Sequence, residues 1–171
     1  MEVRSVTAIV KALNDAQVQY LIVGGLAVVA HGYERLTRDV DLVIGLEPDN
    51  ITRGLRALMG IGYHMSIPVT PEEFADAETR ERWRREKNMI VLKLWSDEHQ
   101  RTPIDVFIYE PFDFKRELEA ASQETIFSGV QAPVVSFKTL MEMKKAAGRP
   151  IDIADIADLM ELEKMKARLN K

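Results

Sequence analysis

The chain has 171 residues, with 23 basic and 27 acidic side chains and a formal net charge of −4. That length suits one domain with a real core, and that charge excludes a polycationic nucleic-acid coat, so any nucleic acid has to be met by a local patch. A hydrophobic content of 46% argues against general disorder, and the lack of cysteine excludes a disulfide scaffold, a thiolate zinc site and a cysteine nucleophile. The first residues carry no signal-peptide core, and no apolar run nears the roughly 20 residues of a membrane span. The expectation is a cytoplasmic protein with no membrane contact.

Val6, Ile9, Val10 and Leu13 recur at helical spacing and predict a helix ending before Asn14-Asp15. Val18 to Val23 is short, apolar and β-branched, and it stops at Gly24-Gly25, which predicts a buried strand. A short helix follows over Leu26 to Ala30. Asp39 to Ile44 reads as a two-faced strand, and Pro48-Asp49-Asn50 opens a helix to Gly60. Pro71 opens a further, charge-rich helix to Lys87. Met89 to Trp95 and Pro103 to Tyr109 read as an antiparallel strand pair, Phe112 to Ala121 as a helix, and Thr125 to Val135 as short extended pieces. Helices over Ser136 to Ala147 and Ile151 to about Leu169 close the chain. The expected class is α+β, a small mixed sheet with flanking helices. Residues 1–135 form its core, and residues 136–171 a helical segment packed on that core.

Asp39 and Asp41 stand two apart on a predicted strand, so both carboxylates project from one face while Val40 and Leu42 enter the core. Two such charges repel unless a cation lies between them, and a divalent ion with oxygen ligands, Mg²⁺ (or Mn²⁺), is the economical answer. Asp105 is likewise an acid set between apolar neighbours, Ile104 and Val106. If its strand lies beside that of Asp41, three carboxylates converge, which is a ligand set for phosphoryl transfer. Solvated acids on an edge strand are the competing reading, and they require Asp105 to lie elsewhere. Gly24-Gly25, between strand and helix, lets a phosphate approach the backbone, or is simply a tight turn.

Together these residues resemble the polymerase β-type nucleotidyltransferase superfamily, whose signature is an apolar strand, Gly-Gly, a short helix and an apolar-flanked Asp-x-Asp. Thirteen residues separate Gly25 from Asp39, a spacing that fits. Ala27, His31, Gly32, Arg35 and Thr37 extend the match to the toxin-like AbiEii type, as does the tail from Met143 to Asp155 with Lys144, Arg149, Asp152 and Asp155. The resemblance covers roughly Val18 to Asp158. It implies an Mg²⁺-dependent enzyme moving an NMP from an NTP to an acceptor hydroxyl, on a tRNA 3′ end or a protein, and acting as a toxin beside an antitoxin protein. Asp39, Asp41 and Asp105 are then catalytic metal ligands. Gly24, Gly25, Thr37, Arg38, Lys144, Asp152 and Asp155 are then nucleotide-binding. A nucleotide- or partner-binding module of the same fold, without turnover, is the alternative.

Several residues carry two readings. Lys144 shares one helix face with Phe137, Leu140 and Met141, so it needs either a route to water or an anion, such as a triphosphate. Asp152 and Asp155 either complement a helix dipole or orient Lys144 or Arg149. Arg35, Thr37 and Arg38 contact phosphates or order the loop. His31 reads as a cap or packing residue. The stretch Arg80 to Lys87, with Trp83 inside, reads as a salt-bridged helix face before an RNA-binding one.

Overall fold

A computed structural model describes residues 1–127 and 129–169. Residues 170 and 171 of the expected C-terminal segment lie outside the described residues. Helix α1 (Val3–Asp15) turns Val6, Ile9, Val10 and Leu13 inward, as its spacing requires. Strand β1 (Tyr20–Val23) is buried along its whole length, and helix α2 (Gly24–Ala30) follows it directly. Strand β2 (Val40–Ile44) and helix α3 (Pro48–Gly60) come next. Asn50, at the start of α3, accepts from the Gln19 amide and donates to the Gln19 and Gly45 carbonyls, which ties that helix to the ends of β1 and β2.

The middle of the chain differs from its pattern in two places. A two-residue strand, β3 (His64–Met65), was too short to leave a signal. The expected long helix is two, α4 (Pro71–Ala75) and α5 (Ala77–Lys87). Thr70 caps the first reciprocally with Glu73, and Asp76 breaks the run by capping the second through Thr79 N–H. Strands β4 (Val91–Trp95) and β5 (Ile104–Phe107) form the expected antiparallel pair. Helix α6 (Phe114–Ala120), the hairpin β6 (Ser122–Ile126) and β7 (Val130–Val134), and helices α7 (Phe137–Ala147) and α8 (Pro150–Leu169) complete the order.

The seven strands form one mixed sheet in the order β3-β4-β5-β2-β1-β7-β6. β2 runs antiparallel to β1 and parallel to β5, and β7 runs parallel to β1. Leu140 and Leu159, from α7 and α8, are fully buried in the same apolar cluster as Leu21, Leu42 and Ile104. The α+β class with a mixed sheet and flanking helices is therefore as the sequence indicated. None of the described helices is long and apolar enough to cross a membrane.

Candidate active site

The site lies where β1 ends and β2 and β5 begin. In the β2–β5 register Asp41 pairs with Asp105, and in the β1–β2 register Val23 pairs with Asp41. Alternation then places Asp39 beside them on the same face. Carboxylate oxygens of Asp39, Asp41 and Asp105 all lie within 4.8 Å of one another. The reading as scattered surface acids required them apart.

Two of the three carboxyls, those of Asp41 and Asp105, are held above the usual carboxylate range. Burial pushes the Asp41 carboxyl up to about 7, and the charges of Asp39 and Asp105 add to the rise against the Gly25 backbone hydrogen bond and Arg149. Burial also raises Asp105, opposed by Lys93, whose ammonium is 3.3 Å from Asp105 Oδ2. The other Asp105 oxygen, Oδ1, is buried with no hydrogen-bond partner. A buried, unpartnered oxygen on one of three clustered carboxylates is a good ligand position for a hard divalent cation. The residues present thus fit Mg²⁺ (or Mn²⁺).

This has a sign. A carboxyl held above its unfolded pKa costs no stability below about pH 4, where both states are protonated. Stability is lost as pH rises from there toward 7, because the unfolded state ionises first. Thermal melts in EDTA should therefore show Asp41→Asn gaining on wild type as pH rises from 5 to 7.5, by about 1–2 kcal/mol. Mg²⁺ should narrow that gap from the wild-type side. An unchanged difference between the two melting curves across this range would contradict the repulsion.

The glycines are required by what they touch. A Cβ on Gly24, whose φ is +63°, would stand 1.9 Å from Asp41 Oδ2. A Cβ on Gly25 would stand 2.5 Å from Thr37 Oγ1, with the Arg35 guanidinium 3.3 Å away. The Gly-Gly turn is thus pressed between the acid cluster and the loop before β2. The Gly25 backbone hydrogen bond to Asp41 leaves that amide serving the triad itself. Thr37 donates to the Asp39 carbonyl at 3.4 Å, and Arg38 is exposed.

A second cluster braces this loop. Arg35 is ion-paired with Asp155 of α8, and Asp155 also accepts from Lys144 Nζ at 2.6 Å. Lys144 reaches Asp152 at 3.4 Å, and Asp152 holds Arg149 through Nε at 2.7 Å and Nη2 at 3.1 Å. Burial works against the Asp152 charge, but Arg149 and Lys144 outweigh it and hold its pKa below the usual range. Lys144 is only 4% exposed, so its anions are these two aspartates. Both Asp152 and Asp155 orient cations, although Asp152 also occupies the first turn of α8.

Three residues outside the expected set matter here. Lys93 pairs with Asp105, and it was hidden in an ordinary alternating strand. Arg149 has a side chain 69% exposed, and its charge is felt by Asp41 and Asp39. Arg35, which the sequence offers as a phosphate contact or a loop-ordering residue, is tied to α8 through Asp155. His31 bonds the Val135 carbonyl at 2.9 Å and packs edge-on against Phe137, which is a structural role. Arg80 and Trp83 are buried, Arg80 donating to the Phe74 carbonyl and Trp83 packing on the Phe74 ring. Trp83 therefore offers no face to RNA. A cavity of about 810 Å³ lies beyond the far end of β2, lined by Arg53, Arg56 and Arg80 and balanced by Asp49, Glu72 and Asp76. It is remote from the triad in the strand direction.

No protein-family model matches the chain, and no curated protein sequence matches it. Solved structures do. The lincomycin-bound lincosamide antibiotic adenylyltransferase LnuA superposes with a TM-score of 0.59 at 16% identity, covering 89% of this chain and 92% of that one. An antigenic nucleotidyltransferase-like protein from Paracoccidioides brasiliensis gives 0.55 at 20% identity, over 94% and 76%. The chain has the nucleotidyltransferase fold.

Proposed function

We propose that the protein is an Mg²⁺-dependent (or Mn²⁺-dependent) nucleotidyltransferase that moves an NMP from an NTP to an acceptor hydroxyl. The observation that carries this reading is the three-carboxylate cluster against the Gly-Gly turn, with one buried oxygen unpartnered. Asp39, Asp41 and Asp105 would hold the metal, which when bound offsets triphosphate charge and makes pyrophosphate a better leaving group. Gly24 and Gly25 let Asp41 and Thr37 close onto the turn, which sets the triad against the end of β1, and the triphosphate lies beside the triad on that side. Arg149 presents its exposed guanidinium to that space. Thr37, Arg38, Lys144, Asp152 and Asp155 enter as the nucleotide-binding set, the buried members by holding the loop and Arg149 in place. The acceptor hydroxyl attacks the α-phosphate in line, and its proton passes toward the carboxylates, of which Asp105 is nearest to Lys93.

The acceptor is an RNA 3′ end, a tRNA among them, or a protein hydroxyl. The AbiEii-type toxin setting, with an antitoxin partner in the cytoplasm, belongs to the same proposal. The test is incubation with Mg²⁺, each labelled NTP in turn, and cellular RNA plus protein extract. Label should enter RNA or a protein band, and Asp39→Ala/Asp41→Ala should abolish it. Acid-dependent nucleotide binding with no transfer to any acceptor would instead identify a binding module.

A further inference from the structure

The sheet face that carries the triad continues past it, away from the Gly-Gly turn. Asp41, Asp105 and Lys93 are successive partners across β2, β5 and β4. One position along, Leu94, Ile104 and Val40 are partners with buried side chains. The next line on the open face therefore holds Asp39 at one end and Trp95 toward the other, and Trp95 pairs with His64 of β3. Trp95 is 47% exposed, and the His64 ring lies 5.3 Å from it, tilted by 43°. An exposed indole beside an exposed imidazole is a stacking surface. With strands about 4.8 Å apart, it lies roughly 10 Å from the triad. Lys93 stands between the two, its side chain 67% exposed.

Position on the sheet decides which substrate this surface serves. In the strand order, β1 with its Gly-Gly turn flanks the acids of β2 and β5 on one side, and β4 and β3 flank them on the other. A triphosphate beside Gly24 and Gly25 leaves the β4 side for the acceptor. We infer that Trp95 and His64 form the acceptor subsite, stacking the unpaired terminal base of a single-stranded RNA whose 3′-hydroxyl faces the triad. Lys93 sits where the backbone phosphate of that nucleotide would need a cation, and an aromatic face with a neighbouring cation is how unpaired nucleotides are held without sequence readout. This inference rests on the transferase reading for the direction of the chemistry.

Binding tests it apart from turnover. A short single-stranded RNA with a free 3′-hydroxyl and a 5′ fluorescein is titrated in Mg²⁺ without NTP; fluorescein anisotropy is read for every variant, and tryptophan quenching for the wild type. Trp83 is buried, so quenching reports on Trp95. Trp95→Ala should weaken binding about tenfold, Trp95→Phe should restore most of the affinity, and both should melt as wild type does. Blunt double-stranded RNA should not quench. In transfer assays Trp95→Ala should raise KM for the RNA and leave KM for the NTP alone. Quenching by NTP instead of RNA, or RNA affinity indifferent to Trp95, would overturn the assignment. So would a protein acceptor labelled equally well by Trp95→Ala. RNA binding through Trp95 with no transfer of any NMP would leave the subsite standing and remove the transferase reading instead.

Discussion

Asp41→Asn is expected to cut nucleotidyl transfer by about a thousandfold or more while making the metal-free protein more stable. The two effects have one cause. Asp41 lies buried beside Asp39 and Asp105, and its carboxyl is held up at about 7 by burial and by those two charges. An amide of the same shape removes the repulsion and keeps a partner for the Gly25 amide. It also removes a ligand oxygen from the centre of the cluster, and loss of metal-assisted charge stabilisation is worth several kcal/mol in the barrier, at 1.36 kcal/mol for each tenfold. Asp105→Asn should behave alike but with a smaller gain in stability, because Lys93 already offsets part of its charge. The measurement is a paired one, initial rates in Mg²⁺ and melting curves in EDTA on the same preparations. A variant that loses both activity and stability would mean that the triad holds the fold together, and the catalytic reading would lose its main support.

Lys144→Met should act in the opposite way, on the fold first. It leaves Asp152 and Asp155 buried at 1% and 5% side-chain exposure with their shared cation gone. Breaking a buried ion pair from one side costs about 3–5 kcal/mol, which for a chain of this size is a fall of roughly 10 °C in Tm. Asp155 keeps Arg35 and Asp152 keeps Arg149, so the loss should fall toward the low end of that range. A variant that melts as wild type does but shows a much higher KM for NTP would instead make Lys144 a direct ligand of the triphosphate. Asp155→Ala takes the ion-pair partner from Arg35 and leaves Lys144 with Asp152 alone, and should release the loop that carries Thr37 and Arg38 as well.

Much of the triad was legible because it violates local rules. Acids inside apolar strands, at Asp39, Asp41 and Asp105, have no packing reason to be there, and alternation alone set two of them on one face. The glycine pair was legible as a turn, but the reason for it was not. Only the sheet brings Asp41 within 1.9 Å of a Cβ on Gly24. The Arg35–Asp155 bond spans 120 positions and leaves no trace in either neighbourhood. Lys93 and Trp95 were invisible for the reverse reason. Val91-Leu92-Lys93-Leu94-Trp95 obeys strand alternation so well that nothing marks its outer face. The two-residue β3 lies below any periodicity.

The pairing of Asp41 with Asp105 joins strands far apart in the chain and parallel to each other. Such a contact requires a long segment to close on itself, and that closure costs loop entropy before the pairing repays it. A nascent chain that has emerged only through α5 already holds the Gly-Gly turn, Asp39 and Asp41, yet it lacks β5 and with it the third carboxylate. On the proposed reading the third ligand joins the cluster only when this central pairing closes, so a nascent chain that stops short of β5 is expected to be inert.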